Sequence, residues 1–177
     1  MTNYRRARVP GATYFFTVNL ADRSSTLLID RIADLRSAVQ YTRRRLPFVI
    51  DAMAILPDHL HAVWTLPSGD ADFPLRWRLI KSHFSRRMPI GEHRRASRIA
   101  KGERGIWQRR YWEHWVRDED DFRRCVDYTH INPVKHGHAA RVSDWPYSTF
   151  HREVRNGRLP EAWSAPGGGD GDFGERR

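Results

Sequence analysis

The sequence predicts an α+β fold: a two-layer sandwich with helices mainly on one face of an antiparallel sheet. Three observations point there. Segments of β-branched and aromatic residues interleave with segments whose apolar residues recur every three or four positions, in the order strand, helix, strand, strand, helix, strand, helix. Only Pro57-Asp58 separates the second and third strand patterns, which makes them an antiparallel hairpin. The chain has 177 residues, the size of one domain able to bury its own core.

Tyr14 to Leu20 is aromatic and β-branched and reads as the first strand. Asp30 fits a helix N-cap, and Ile32, Leu35, Val39, Thr42 and Leu46 then mark one face of a helix running to about Arg45, where Pro47 stops it. Phe48 to Leu56 and His59 to Leu66 are the hairpin strands. Phe73, Trp77, Ile80, Phe84 and Met88 form the stripe of a second helix, whose other faces carry Arg76, Arg78, Lys81, Arg86 and Arg87. Pro89 to Gly105 reads as a basic loop, and Ile106 to Trp112 as a fourth strand. Asp118 to Asp121 crowd acids at the start of a third helix, as the macrodipole favours. That helix holds Phe122, Cys125, Val126 and Thr129 on one stripe, and Pro133 is expected to end it. The natural closure is a ferredoxin-like split β-α-β sheet with an extra C-terminal helix. Residues 1–165 form the domain, and the Gly-rich stretch 166–177 is expected to be a disordered tail.

A single cysteine, Cys125, allows no internal disulfide. No apolar run is long enough to span a membrane, and Met1 to Arg6 leads into no signal-like segment. These features predict a cytoplasmic protein. The formal net charge is +10, from 31 Lys+Arg against 21 Asp+Glu. Arg76 to Arg110 holds 12 basic and 2 acidic residues, so one segment carries the whole excess. Aromatics stand among those charges, a pattern suited to single-stranded nucleic acid, where phosphates need cations and bases need flat surfaces. Phosphate loops, dinucleotide fingerprints, Cys-x-x-Cys pairs and nucleophile-elbow serines are absent from the sequence.

Two further clusters bear on chemistry. In His59-Leu60-His61 the imidazoles point to one face of a strand, a spacing that suits one divalent metal and also occurs in surface pairs beside turns. Tyr128 and Asn132 are neighbours one helical turn apart, beside the apolar stripe of the third helix. A tyrosine so placed is more often a boundary residue that packs its ring and hydrates its hydroxyl. The segment Ile106 to His114 would alternate two mixed faces, at least one of them wet or bound.

Taken together and in order, these motifs resemble the REP-associated tyrosine transposases, relatives of the single-tyrosine HUH transposases. The likeness runs through Tyr14–Leu20, Leu56–Pro67, Ile106–His114, Val126–Gly137 and Ser143–His151. It implies a metal-dependent single-strand DNA endonuclease and strand transferase. His59, His61 and Asn132 would hold Mg²⁺ or Mn²⁺, and Tyr128 would be the nucleophile. Such an enzyme nicks and rejoins DNA beside palindromic (REP-type) hairpins through a 5′-phosphotyrosine intermediate. The implied DNA contacts are Arg5, Arg6 and Arg8 of an N-terminal arm, then Arg76, Arg78, Lys81, Arg86, Arg87, Trp107, Arg109 and Arg110. A monomer is expected, with a helix-exchanging dimer as the alternative, and no membrane partner. The alternative is a hairpin-binding protein of the same fold that does not cut.

Overall fold

Four strands form the sheet: β1 (Thr13–Asn19), β2 (Val49–Ile55), β3 (His59–Thr65) and β4 (Trp112–Trp115). Their order is β2-β3-β1-β4 and every pairing is antiparallel, the ferredoxin-like closure that the element order predicts. The helices are α1 (Leu27–Asp30), α2 (Ile32–Arg45), α3 (Phe73–Arg86), α4 (Ala96–Ile99), α5 (Glu119–Lys135) and α6 (Phe150–Arg155), with a 3-10 turn at Val142–Asp144. This computed structural model describes residues 8–91, 94 and 96–165. Arg5, Arg6 and the 166–177 tail lie outside the described residues.

Strand alternation divides the interior into two cores. Tyr14, Phe16 and Val18 of β1, with Leu60, Ala62 and Trp64 of β3, face α2 and α3 and build the larger one. There Trp64 stacks on Trp77, with ring centroids 4.1 Å apart and planes 17° from parallel. Phe15 and Val63 face the other way and join Ala52, Cys125 and Tyr128 in a smaller core beneath α5. The extra helix therefore adds a third layer, packed chiefly against β2 and β3. Every residue of β3 from His59 to Trp64 is buried, because both faces of that strand are covered.

Several boundaries depart from the sequence expectation, each for a tertiary reason. Asp30 closes the short α1 rather than capping α2, whose N-cap is Arg31. Four residues of the 89–105 segment form α4. The fourth strand begins at Trp112, not Ile106: the 106–108 stretch instead crosses the end of β1, where Leu20 bridges Trp107 and the Gln108 N–H donates to the Asn19 carbonyl. The helix α5 runs through Pro133 to Lys135. Proline removes one N–H, yet the next turn still closes, with the His136 N–H donating to the Asn132 carbonyl at 3.0 Å. Burial of Asn132 and Pro133 against the sheet holds the last turn in place. The acids at the other end behave as expected: Asp118 is the N-cap and accepts the Asp121 N–H at 2.8 Å.

Candidate functional site

The site begins at the tight turn into β3. The Leu20 N–H donates to the Asp58 carbonyl at 2.8 Å, fixing the turn against the end of β1. Register then sets Asn19 opposite His59 and Thr17 opposite His61. Both imidazoles are buried, at 1% and 0% exposure, with ring centroids 5.0 Å apart and planes nearly perpendicular. Each ring is held by its Nδ1. Asp58 Oδ1 lies 2.8 Å from His59 Nδ1, and Thr17 Oγ1 lies 3.0 Å from His61 Nδ1. Arg23 bridges the Asp58 carboxylate at 2.7 Å and also donates to Asn19. Burial pushes the Asp58 carboxyl up, but the His59 hydrogen bond and charge and the Arg23 charge outweigh it and keep it below the ordinary value. An ionised carboxylate can only accept, so His59 Nδ1 donates to Asp58 and Nε2 is the ring atom that faces away from it.

The helix α5 closes the site from the other side of the interface. Tyr128 is 1% exposed, and its ring meets His61 edge-on at 5.4 Å and Phe15 at 5.9 Å. One turn beyond the next, His136 meets the His59 ring at 5.1 Å. Asn132, fully buried, lies midway between them on the same helical face. The structure thus brings His59, His61, Tyr128 and Asn132 to one place, as the sequence motifs predict. It adds Asp58, Thr17, Lys135 and His136, which sequence reasoning missed. Asp58 directly precedes His59, and a carboxylate beside a candidate ligand was the signal available.

Two imidazole nitrogens and a carboxamide oxygen match the donors that a divalent ion accepts while keeping positions open for substrate oxygens. The Nδ1 hydrogen bonds are the outer layer that fixes ligand tautomers in such centres. We expect Asp58→Ala to weaken Mn²⁺ binding about 10–100-fold. Calorimetric titration with Mn²⁺ measures this directly, and an unchanged affinity would reduce Asp58 to a turn anchor.

A second cluster, His114, Asp121 and Cys125, brings ligand-type atoms within 4.8 Å of one another. Its geometry is that of a hydrogen-bonded brace. Asp121 Oδ2 lies 2.8 Å from His114 Nε2 and accepts the Arg117 N–H at 3.0 Å. Burial and the Asp121 charge push the Cys125 thiol up to about 12.

The basic segment divides into braces and open charges. Arg76 is a correction to the expected DNA contacts: it is 1% exposed, and its guanidinium grips Asp70 at 2.7 and 3.1 Å and the Pro47 carbonyl at 2.7 Å. It ties α3 to the loops and cannot reach a phosphate. Trp107 is a second correction: its ring is buried in the larger core, edge-on to Phe84, with no face open for a base. Lys81 is half-buried and donates to the Gln108 carbonyl at 3.0 Å. Arg8, Arg78, Arg86, Arg87, Arg109 and Arg110 are exposed. Arg87 donates to Ser37 Oγ, and Arg109 pairs with Glu103 at 2.7 Å. A groove of about 670 Å³ runs between α3 and the 98–111 segment, with Arg78, Lys81, Arg86, Arg98, Arg104 and Arg109 along it. Two of its lining residues, Trp107 and Gln108, meet Leu20 and Asn19 at the end of β1, but the groove lies on the α3 face of the sheet and the histidine pair on the α5 face.

His130 sits behind the site, fully buried, its Nε2 3.2 Å from Thr149 Oγ1. Burial drives its pKa down to about 4, with Glu153 pulling up and Arg152 down. A folded-state value below the unfolded one means the unfolded chain takes the proton first. Stability therefore falls as pH drops from about 6.5 towards about 4 and levels below that, by up to about 3 kcal/mol. Urea midpoints measured across that window should decline, and His130→Gln should flatten the decline. An equal slope in the variant would remove His130 as the cause.

A protein from Escherichia coli (strain K12) named REP-associated tyrosine transposase is 48% identical over 164 residues, covering 93% of this chain and 92% of that protein. The chain belongs to the REP-associated tyrosine transposase family. A relative from Haemophilus influenzae carrying the same family name is 44% identical over 168 residues, 92% of this chain and 93% of its own. A solved REP-associated tyrosine transposase bound to a REP hairpin superposes with a TM-score of 0.86 at 47% identity, covering 100% of this chain and 99% of that one. No family model matches the chain. Among the described residues no helix is long and apolar enough to cross a membrane.

Proposed function

We propose that this transposase-family chain nicks and rejoins single-stranded DNA beside palindromic hairpins through a 5′-phosphotyrosine intermediate. The observation that carries the reading is the bracketing of the histidine pair by α5, with Tyr128 against His61 and His136 against His59. A structural tyrosine needs no histidine pair at its edge. A nucleophilic one needs its hydroxyl beside the groups that bind the phosphate.

His59, His61 and Asn132 would hold the divalent ion, Mg²⁺ or Mn²⁺, and a bound ion there would supply Lewis-acid stabilisation of charge on the phosphate. Tyr128, fixed by Phe15 and His61, presents its hydroxyl to phosphorus from a rigid helix rather than a loop. The new ester keeps the energy of the broken one, so a second 3′-hydroxyl can reverse the reaction on a different strand.

The exposed arginines of the α3 groove supply the hairpin contact, and Arg8 marks where the N-terminal arm joins the described chain. The solved relative is bound to a REP hairpin, which supports a folded stem as the ligand. The groove and Tyr128 lie on opposite faces of the sheet, so in this reading a strand leaving a stem gripped by α3 passes the edge of the sheet to reach Tyr128. The protein acts as a monomer in this reading, since one chain supplies every named group.

The test mixes the protein with hairpin oligonucleotides from the host's palindromic repeats, with Mn²⁺ or with EDTA, and resolves denatured products on a gel. A metal-dependent covalent protein–DNA adduct is expected. Retarded DNA with neither cut nor adduct would instead establish a non-cleaving hairpin binder.

A further inference from the structure

The geometry points to Lys135 as a further catalytic residue, the cation that meets the non-bridging oxygens of the scissile phosphate. This rests on the reading of Tyr128 as the nucleophile. Residues seven apart on a helix lie on nearly the same side, and Tyr128 and Lys135 are such a pair on α5. Helical side chains slant towards the N-terminus, so Lys135 reaches back along the helix rather than out past its end. Its Nζ lies 4.6 Å from the centroid of the Tyr128 ring. Lys135 is exposed, and no ion pair engages it among the described residues. The ammonium is thus placed beside the phenol, with no carboxylate committed to it.

A lysine in the last turn also opposes the helix dipole, and a cation over an aromatic face is attractive. Either effect explains why the position tolerates a cation. Neither needs the ammonium to sit over the one ring that the histidine pair faces. During attack, Tyr128 Oη forms a bond to phosphorus and the bond to the 3′ oxygen breaks. The bonding pair leaves with that oxygen, which takes up a proton, while the phenol gives its own proton to water. The non-bridging oxygens gain negative charge as the fifth bond forms, and a preplaced cation is worth most at that moment. On rejoining, the phenol oxygen departs carrying charge beside the same cation.

The test uses the full chain and two substrates that differ at one linkage. One carries a normal phosphodiester at the mapped cleavage position, the other an uncharged methylphosphonate. On the normal substrate Lys135→Gln should slow adduct formation about 100-fold, with Lys135→Arg recovering part of the loss. Hairpin affinity and melting temperature should stay close to wild type. On the methylphosphonate, which has lost the charge that the lysine meets, wild type and Lys135→Gln should differ by less than about threefold. Equal losses on both substrates, no loss on either, or a loss that tracks the melting temperature would each overturn the proposal and return Lys135 to a helix-end role. If wild type forms no adduct with the normal substrate, the nucleophile reading fails first and takes this one with it.

Discussion

Tyr128→Phe eliminates the covalent protein–DNA adduct, a loss of about 10⁴-fold or more, while hairpin affinity stays within about twofold. The substitution removes one oxygen and keeps the ring. The edge contacts with Phe15 and His61 and the Lys135 ammonium over the face all survive it. Folding should therefore be preserved, and the lost oxygen is the proposed nucleophile. A rate measured by denaturing gel, beside a binding isotherm on the same hairpin, separates the two effects. Cutting that persists in Tyr128→Phe would make water the nucleophile and refute the mechanism.

The second large effect is loss of the ion. His61→Ala should lower Mn²⁺ affinity by at least about 100-fold and adduct formation by about 10³-fold. His59→Ala should do the same. The two should not be equal in stability. His61 lies fully buried between Thr17 and the rings of Phe15 and Tyr128, so its removal opens a cavity in the smaller core. His59 lies next to the turn, held by Asp58 and edged by exposed His136, where the chain can relax. A larger fall in melting temperature for His61→Ala, with matched losses of Mn²⁺ binding, is the expected pattern. Calorimetric titration and thermal melts check it. Full adduct formation by either variant in Mn²⁺ would exclude the histidine pair as the ion's ligands.

The sheet was legible because aromatic and β-branched content and turn chemistry are local properties. Tyr14 to Leu20 carries the first, Pro57-Asp58 the second, and an antiparallel hairpin needs no distant information. The stripe from Phe73 to Met88 was equally plain, since a 3.6-residue period survives any tertiary context. Strand and helix spacing set His59 beside His61 and Tyr128 beside Asn132, but their candidate roles came from the resemblance of the ordered motifs to the transposase family.

Arg76 shows where local reading stops. Its neighbours Arg78, Arg86 and Arg87 are solvent-facing, and nothing within a helical turn distinguishes it from them. Its fate depends on the Pro47 carbonyl, 29 positions away, together with Asp70. Trp107 looked like a stacking platform for the same reason, because the Phe84 ring and the β1 end that bury it lie far off in sequence. Pro133 was read as a stop because proline removes a hydrogen bond, but burial against the sheet outweighs one lost bond.

The sequence by itself determined the order of elements and the antiparallel hairpin, since each depends on periodicity, turn chemistry or spacing within a few residues, while the candidate site residues came from the resemblance of its motifs to a known family. Only the tertiary structure decided that α5 covers the face of the sheet opposite α2 and α3. It alone decided that Asp58 and Thr17 hold the histidine rings and that Lys135 stands over Tyr128. Those facts depend on which faces meet across the sheet, and packing selects among faces by buried area and satisfied hydrogen bonds, which no short window of residues contains.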